Sequence, residues 1–126
     1  MKKLKLIKRL LFILIVLTGF LFSSVAFAAK PKIILFCSSW HSKCREARAA
    51  CSYASADTKP VIKYTELDID APATEQKAAK LRLKIPPAIP YIYILDSHNK
   101  VIKKNLYKGE SPEEFKKQIL NALHKN

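Results

Sequence analysis

The apolar positions of this chain fall into runs with two different periods. Lys32 to Phe36 reads Lys-Ile-Ile-Leu-Phe, a continuous apolar run that predicts a strand covered on both faces. From Ser42 to about Ala56 the period changes: Cys44, Ala47, Cys51 and Ala54 recur at helical spacing, with Arg45, Arg48, Ser52 and Ser55 on the opposite side. This stripe of small residues lets a helix lie close against a sheet. Asp57 to Pro60 is a turn, and Val61 to Leu67, β-branched and partly alternating, is a second strand. A second helix is expected over Ala73 to Leu83, with Asp70 as its cap and Pro72 near its first turn, ending before Pro86-Pro87. Tyr91 to Leu95 is a third strand, Asp96-Ser97-His98-Asn99 a hairpin turn, and Lys100 to Tyr107 the returning antiparallel strand. Gly109 breaks that strand. Ser111-Pro112-Glu113-Glu114 is a capping box, after which Phe115, Ile119, Ala122 and Leu123 form the apolar face of a closing helix.

The predicted order is β-α-β-α-β-β-α, an α/β class with no internal repeat and no second domain. The preference for right-handed crossovers makes the first two strands parallel, with a helix between them.

Ahead of this lies a segment of another kind. Met1 to Arg9 is basic, Leu10 to Phe22 is apolar apart from Thr18 and Gly19, and Ala26-Phe27-Ala28 is a small-x-small site. These are the three parts of a secretory signal peptide. Residues 1–28 are therefore expected to be a signal, and residues 29–126 the exported domain, periplasmic or extracellular. The alternative is an uncleaved membrane anchor, for which the apolar core is short against the ~20 residues of a span. Contact with a membrane is expected only through this segment, before cleavage.

Charge adds little. Five of the 23 basic residues and none of the ten acidic ones lie in the first 28, so the remaining 98 residues carry +8. Lys77, Lys80, Arg82 and Lys84, like Lys100, Lys103, Lys104 and Lys108, read as solvated faces with no stacking aromatic pattern, so no nucleic-acid partner is expected. The cysteine count matters more. Three in an exported chain leaves at least one free, bound or paired with another molecule.

Chemistry concentrates in Phe36-Cys37-Ser38-Ser39-Trp40-His41-Ser42-Lys43-Cys44-Arg45, where the first strand gives way to the first helix. Backbone N–H groups at such a helix start point at whatever occupies the loop. The segment resembles the active-site stretch of the thioredoxin family: apolar strand, Trp-Cys-x-x-Cys, helix. The resemblance runs from Lys32 to Leu123. It also rests on Leu67-Asp68-Ile69-Asp70 closing the second strand, on Ile89-Pro90 opening the third, and on the hairpin and terminal helix. It implies a minimal thioredoxin fold, a four-stranded mixed sheet with helices on both faces, and a cis Ile89–Pro90 bond, with Pro87 the weaker candidate. In the family, the backbone next to that proline pairs with an extended substrate. Trp40, Ile89 and Pro90 are thus the implied substrate-binding residues.

The resemblance breaks at one point. Matching Trp40 to the family tryptophan places His41 where the attacking cysteine belongs and Cys44 in the resolving position. An imidazole cannot form a mixed disulfide, so the ordinary dithiol cycle is closed. Leu35 stands where many thioredoxins carry a buried acid that shuttles protons. Three readings remain open. Cys37 pairs with Cys44, as a redox-active or structural disulfide, if their Cα atoms come within roughly 7 Å. Alternatively Cys44 acts as a lone thiol, with His41 accepting its proton. In the third reading the loop is not catalytic, and the groove at Trp40, His41 and the Ile89-Pro90 edge binds an extended peptide. A His41, Cys44 and Cys37 ligand set for copper or zinc lacks a fourth ligand, and neither a metal nor any other cofactor is expected.

The leading expectation is a divergent thiol–disulfide oxidoreductase homologue acting through Cys44, with Cys37 as its partner, on protein or peptide thiols and disulfides. Its alternative is a non-catalytic peptide-binding module of the cell envelope. Either is expected to be a monomer. Cys51 lies seven residues from Cys44, ~10 Å along a helix and beyond bridging distance, and reads as a core side chain. His98, His124, Tyr91 and Tyr93 read as structural.

Overall fold

A computed structural model of the chain describes residues 3, 5–13 and 29–125. Residues 5–13 are helical and exposed; the rest of the expected signal segment, and its cleavage site, lie outside the described residues. No helix among the described residues is long and apolar enough to cross a membrane.

The domain follows the predicted order. Its strands are β1 (Lys32–Cys37), β2 (Lys63–Asp68), β3 (Tyr91–Leu95) and β4 (Val101–Leu106), and its helices α1 (Ser42–Ser55), α2 (Thr74–Lys80) and α3 (Pro112–His124). The sheet order is β2-β1-β3-β4. β1 runs parallel to β2 and antiparallel to β3, which pairs antiparallel with β4.

β1 is apolar from Ile33 to Cys37 because both of its faces are covered. Ile33, Leu35 and Cys37 point to the layer formed by α1 and α3, where they meet Cys44, Ala47, Ala50, Cys51, Ala54, Phe115 and Ile119. Ile34 and Phe36 point the other way, to Leu67, Ala78, Leu83, Tyr93 and Leu95 under α2. The small-residue stripe of α1 is buried as its period requires, and it lets α1 and α3 share one face of the sheet.

Two boundaries differ from expectation by two residues or more, and one cap is reassigned. β2 starts at Lys63 rather than Val61: Thr58 Oγ1 accepts a hydrogen bond from Ile62 N, and ladder pairing begins where Lys63 N donates to Pro31 O. α2 runs only to Lys80, because Arg82 takes a left-handed φ of 58°. Leu83 N donates to Ala78 O and Arg82 N to Ala79 O, the Schellman pattern normally built on glycine. Asp70 does not cap α2. Ala73 holds that position without a side-chain bond, and Asp70 is engaged elsewhere.

The hairpin and last helix match their signals. Asp96 Oδ1 accepts from His98 N and Lys100 N, Asn99 takes positive φ, and a register shift falls at Ile94/Leu95. Ser111 Oγ accepts from Glu114 N at the start of α3. Ile89–Pro90 is cis, as is Lys59–Pro60.

Candidate functional site

β1 delivers Cys37 to the top of the sheet, and α1 begins at Ser42, so residues 38–41 must turn the chain within four positions. Ser38 organises that turn. Its carbonyl accepts from His41 N at 3.4 Å, its hydroxyl accepts from Trp40 N at 3.2 Å, and its own N–H points to Cys44 Sγ at 3.5 Å. The turn brings Cys37 and Cys44 together. Their Cα atoms are 5.8 Å apart and their sulfurs are bonded as a disulfide across a sequence separation of 7. Neither residue is exposed.

His41 is the N-cap of α1, and its side chain makes no capping bond. Its ring is half-buried beside the Trp40 ring, at 5.6 Å between centroids, and its Nδ1 is buried without a hydrogen-bond partner among the described residues. The structure holds Cys44 as a disulfide sulfur, which has no proton for that imidazole to take.

Trp40 is 69% exposed and fixed at one edge, where its Nε1–H donates to Asp70 Oδ2 at 2.8 Å. Asp70 is the residue that sequence reasoning misassigned. It reaches Trp40 because β2 runs parallel to β1, so the chain leaving β2 at Asp68 sits beside the chain leaving β1 at Cys37. Ile69 N fastens the two exits by donating to Cys37 O at 2.9 Å. The parallel pairing was itself predicted, so this contact was within reach of the sequence. Beyond Asp70 lies a hollow of about 390 Å³ walled by Ile69, Pro72, Glu75 and Ile85.

The third component is the start of β3. The register that pairs Phe36 with Tyr91 sets Pro90 level with Cys37. Pro90 is buried and its carbonyl accepts from Tyr107 N at 2.8 Å. Ile89 packs against the cluster containing Cys37 and Cys44, and neither its N–H nor its carbonyl is hydrogen-bonded among the described residues.

No family model matches the chain, and no curated protein matches it by sequence. Solved structures do. An uncharacterised thioredoxin-like protein from Clostridium perfringens superposes with a TM-score of 0.55 at 19% identity, covering 78% of this chain and 74% of its own. A mutant thioredoxin from Halobacterium salinarum gives 0.57 at 10% identity, covering 75% and 76%. Thioredoxin f from spinach chloroplast gives 0.53 at 19%, covering 75% and 78%. This chain has the thioredoxin fold.

On the thioredoxin fold found here, the disulfide, Trp40 and Ile89 share the end of the sheet where β1 meets α1. Cys51, also in this fold's core, belongs to none of them. It is free and buried, and burial, helped by the Glu66 carboxylate, pushes its thiol up to about 12. Among the described residues no group of three or more His, Cys, Asp and Glu is placed to hold a metal ion. Both sulfurs of the suggested His41, Cys44 and Cys37 set are taken by their mutual bond.

Proposed function

We propose that the chain is an exported, divergent relative of the thioredoxin oxidoreductases, serving as a peptide- or protein-binding module of the periplasm or extracellular space. The observation carrying this reading is a contrast within one site. The sulfurs are bonded to each other and sealed from solvent, while the Ile89 backbone, unpaired among the described residues, and an exposed Trp40 lie at the same end of the sheet. Thiol–disulfide exchange needs a thiolate to approach a sulfur along the S–S axis, and burial blocks that approach. Backbone pairing with an extended segment needs only a free N–H and C=O at an edge. His41, in the place of the family's attacking cysteine, fits the same loss of turnover.

A redox reading, with Cys44 acting alone or with Cys37, is favoured by one contact. Ser38 N–H lies on Cys44 Sγ, where it would stabilise a thiolate once the disulfide was opened. A reducing thiolate would attack one sulfur and release the other as thiolate, and a second thiol would then resolve the mixed disulfide.

The two readings separate on the protein's sole tryptophan, Trp40. Under the binding reading, extended peptides change its emission saturably, and Ile89→Pro, which deletes the N–H, abolishes the response. Insulin reduction stays at background. Alkylation of the unreduced, denatured protein labels one cysteine, and prior reduction raises this to all three. Insulin turnover that disappears in Cys44→Ser would replace this proposal with the redox one.

A further inference from the structure

The end of the sheet away from the disulfide carries a cavity of about 490 Å³, within the range of small-ligand sites. It lies between the residues preceding β1, those preceding β2, the β3–β4 turn and the last turns of α3. Six residues of strand, about 20 Å, separate this end of β1 from Cys37. The cavity is therefore distinct from the site above.

We propose that this cavity binds a small amphipathic anion, an aliphatic body carrying one carboxylate. The wall is apolar: Val61, 55% exposed, faces the same space as Leu120 and Leu123 of α3. Covering a β-branched side chain that projects into water is favourable in proportion to the area removed. The rim is cationic. Lys30 and Lys59 both line the mouth, and neither has an ion-pair partner among the described residues. Lys32, held on Asn99 Oδ1 at 2.7 Å, places a third positive charge beside the turn.

Two features oppose an anion and are outweighed. α3 ends at this mouth, and a helix C-terminus presents about half a negative charge. Asp96 is the one acid in the lining, and its carboxylate is engaged by the backbone N–H groups of Lys100 and His98 in its own turn, which hold it below the usual carboxylate range. Against these stand three full lysine charges. An apolar wall under such a rim matches a fatty acid more closely than a phosphate, which has no apolar surface to cover.

Calorimetric titration of the full chain, in the form its host delivers, tests this with octanoate, octanol and octylammonium as probes. Octanoate should bind saturably at one site without altering Trp40 emission. Octanol should bind about tenfold more weakly, and octylammonium not measurably. The double variant Lys30→Glu/Lys59→Glu should lose about tenfold in octanoate affinity. Val61→Asp, on a residue too exposed to threaten folding, should lose at least as much. Equal binding of octanol or octylammonium, full retention of affinity in both variants, or no saturable heat would each overturn the proposal. So would adhesion to phosphatidylglycerol vesicles without affinity for free octanoate, which would reassign the face to a membrane surface.

Discussion

The three cysteines are equally buried and differ only in what lies next to them. Cys51 was legible as a core side chain, because its place on the α1 stripe fixes the direction it points. The Cys37–Cys44 bond was not. Sequence could name the pair but not the 5.8 Å between their Cα atoms, which depends on how Ser38 folds the loop. Asp70 was misread for a related reason: an acid before a helix is a good cap by local rules, and a tertiary partner, the Trp40 indole, took it instead. One consequence of the Cys51 environment is measurable. Its thiol is raised from 9.0 to about 12, so the folded protein keeps it neutral where the unfolded chain ionises it. Its contribution to stability is intact below pH 9.0 and is lost as pH climbs toward about 12. Burial raises Tyr64, Tyr93 and Tyr107 as well, adding to the loss in the same direction. Urea unfolding across that window should show falling stability, with a shallower fall in Cys51→Ala. Identical slopes would mean that the thiol does not remain neutral in the fold.

At the level of elements, six strand and helix signals were read nearly to their ends, because each had a period and a terminator that agreed. α2 was the exception. Its apolar spacing continues to Leu83, and both Ala78 and Leu83 are buried, yet the helix stops at Lys80. Leu83 reaches the core from beyond a Schellman turn, not from a further helical turn. Nothing in the identity of Arg82 announces this, since the position it occupies usually calls for glycine. The left-handed conformation costs an L-residue about 1 kcal/mol, part of which glycine gives back through its freer unfolded chain. Arg82→Gly should therefore raise stability by roughly 0.5–1 kcal/mol, seen as a higher denaturant midpoint at unchanged slope. A lower midpoint would show that the arginine side chain contributes more than its backbone costs.

For the whole molecule, the topology was readable because a parallel β1–β2 pair, a hairpin and a right-handed crossover leave few arrangements, and the one adopted covers both faces of β1. What sequence could not supply was the relation of the two ends of the sheet: which loop closes over the sulfurs, and which residues surround the far cavity. The disulfide joins two elements only seven positions apart, so the unfolded-chain loop it closes is short. Chain-entropy reasoning gives roughly 2–3 kcal/mol for such a loop. The double variant Cys37→Ala/Cys44→Ala should lose about that much while keeping its far-ultraviolet circular dichroism. A loss near zero would show that the bond constrains little that packing does not already hold.

The strand order leaves β2 and β4 outermost, each with one side of its ladder unmatched among the described residues. A sheet in that state can lengthen sideways, one copy's margin zipping onto another's, unless something makes the approach costly. Here the deterrent is charge along both margins: Lys63, Glu66 and Asp68 on one, Lys103 and Lys104 on the other. Replacing Lys103 and Lys104 with valine would make β4 a short, uncharged, β-branched ribbon, and sedimentation should then show species that grow with concentration. If the variant stays a single sharp boundary, charge on β4 is not what opposes such lengthening.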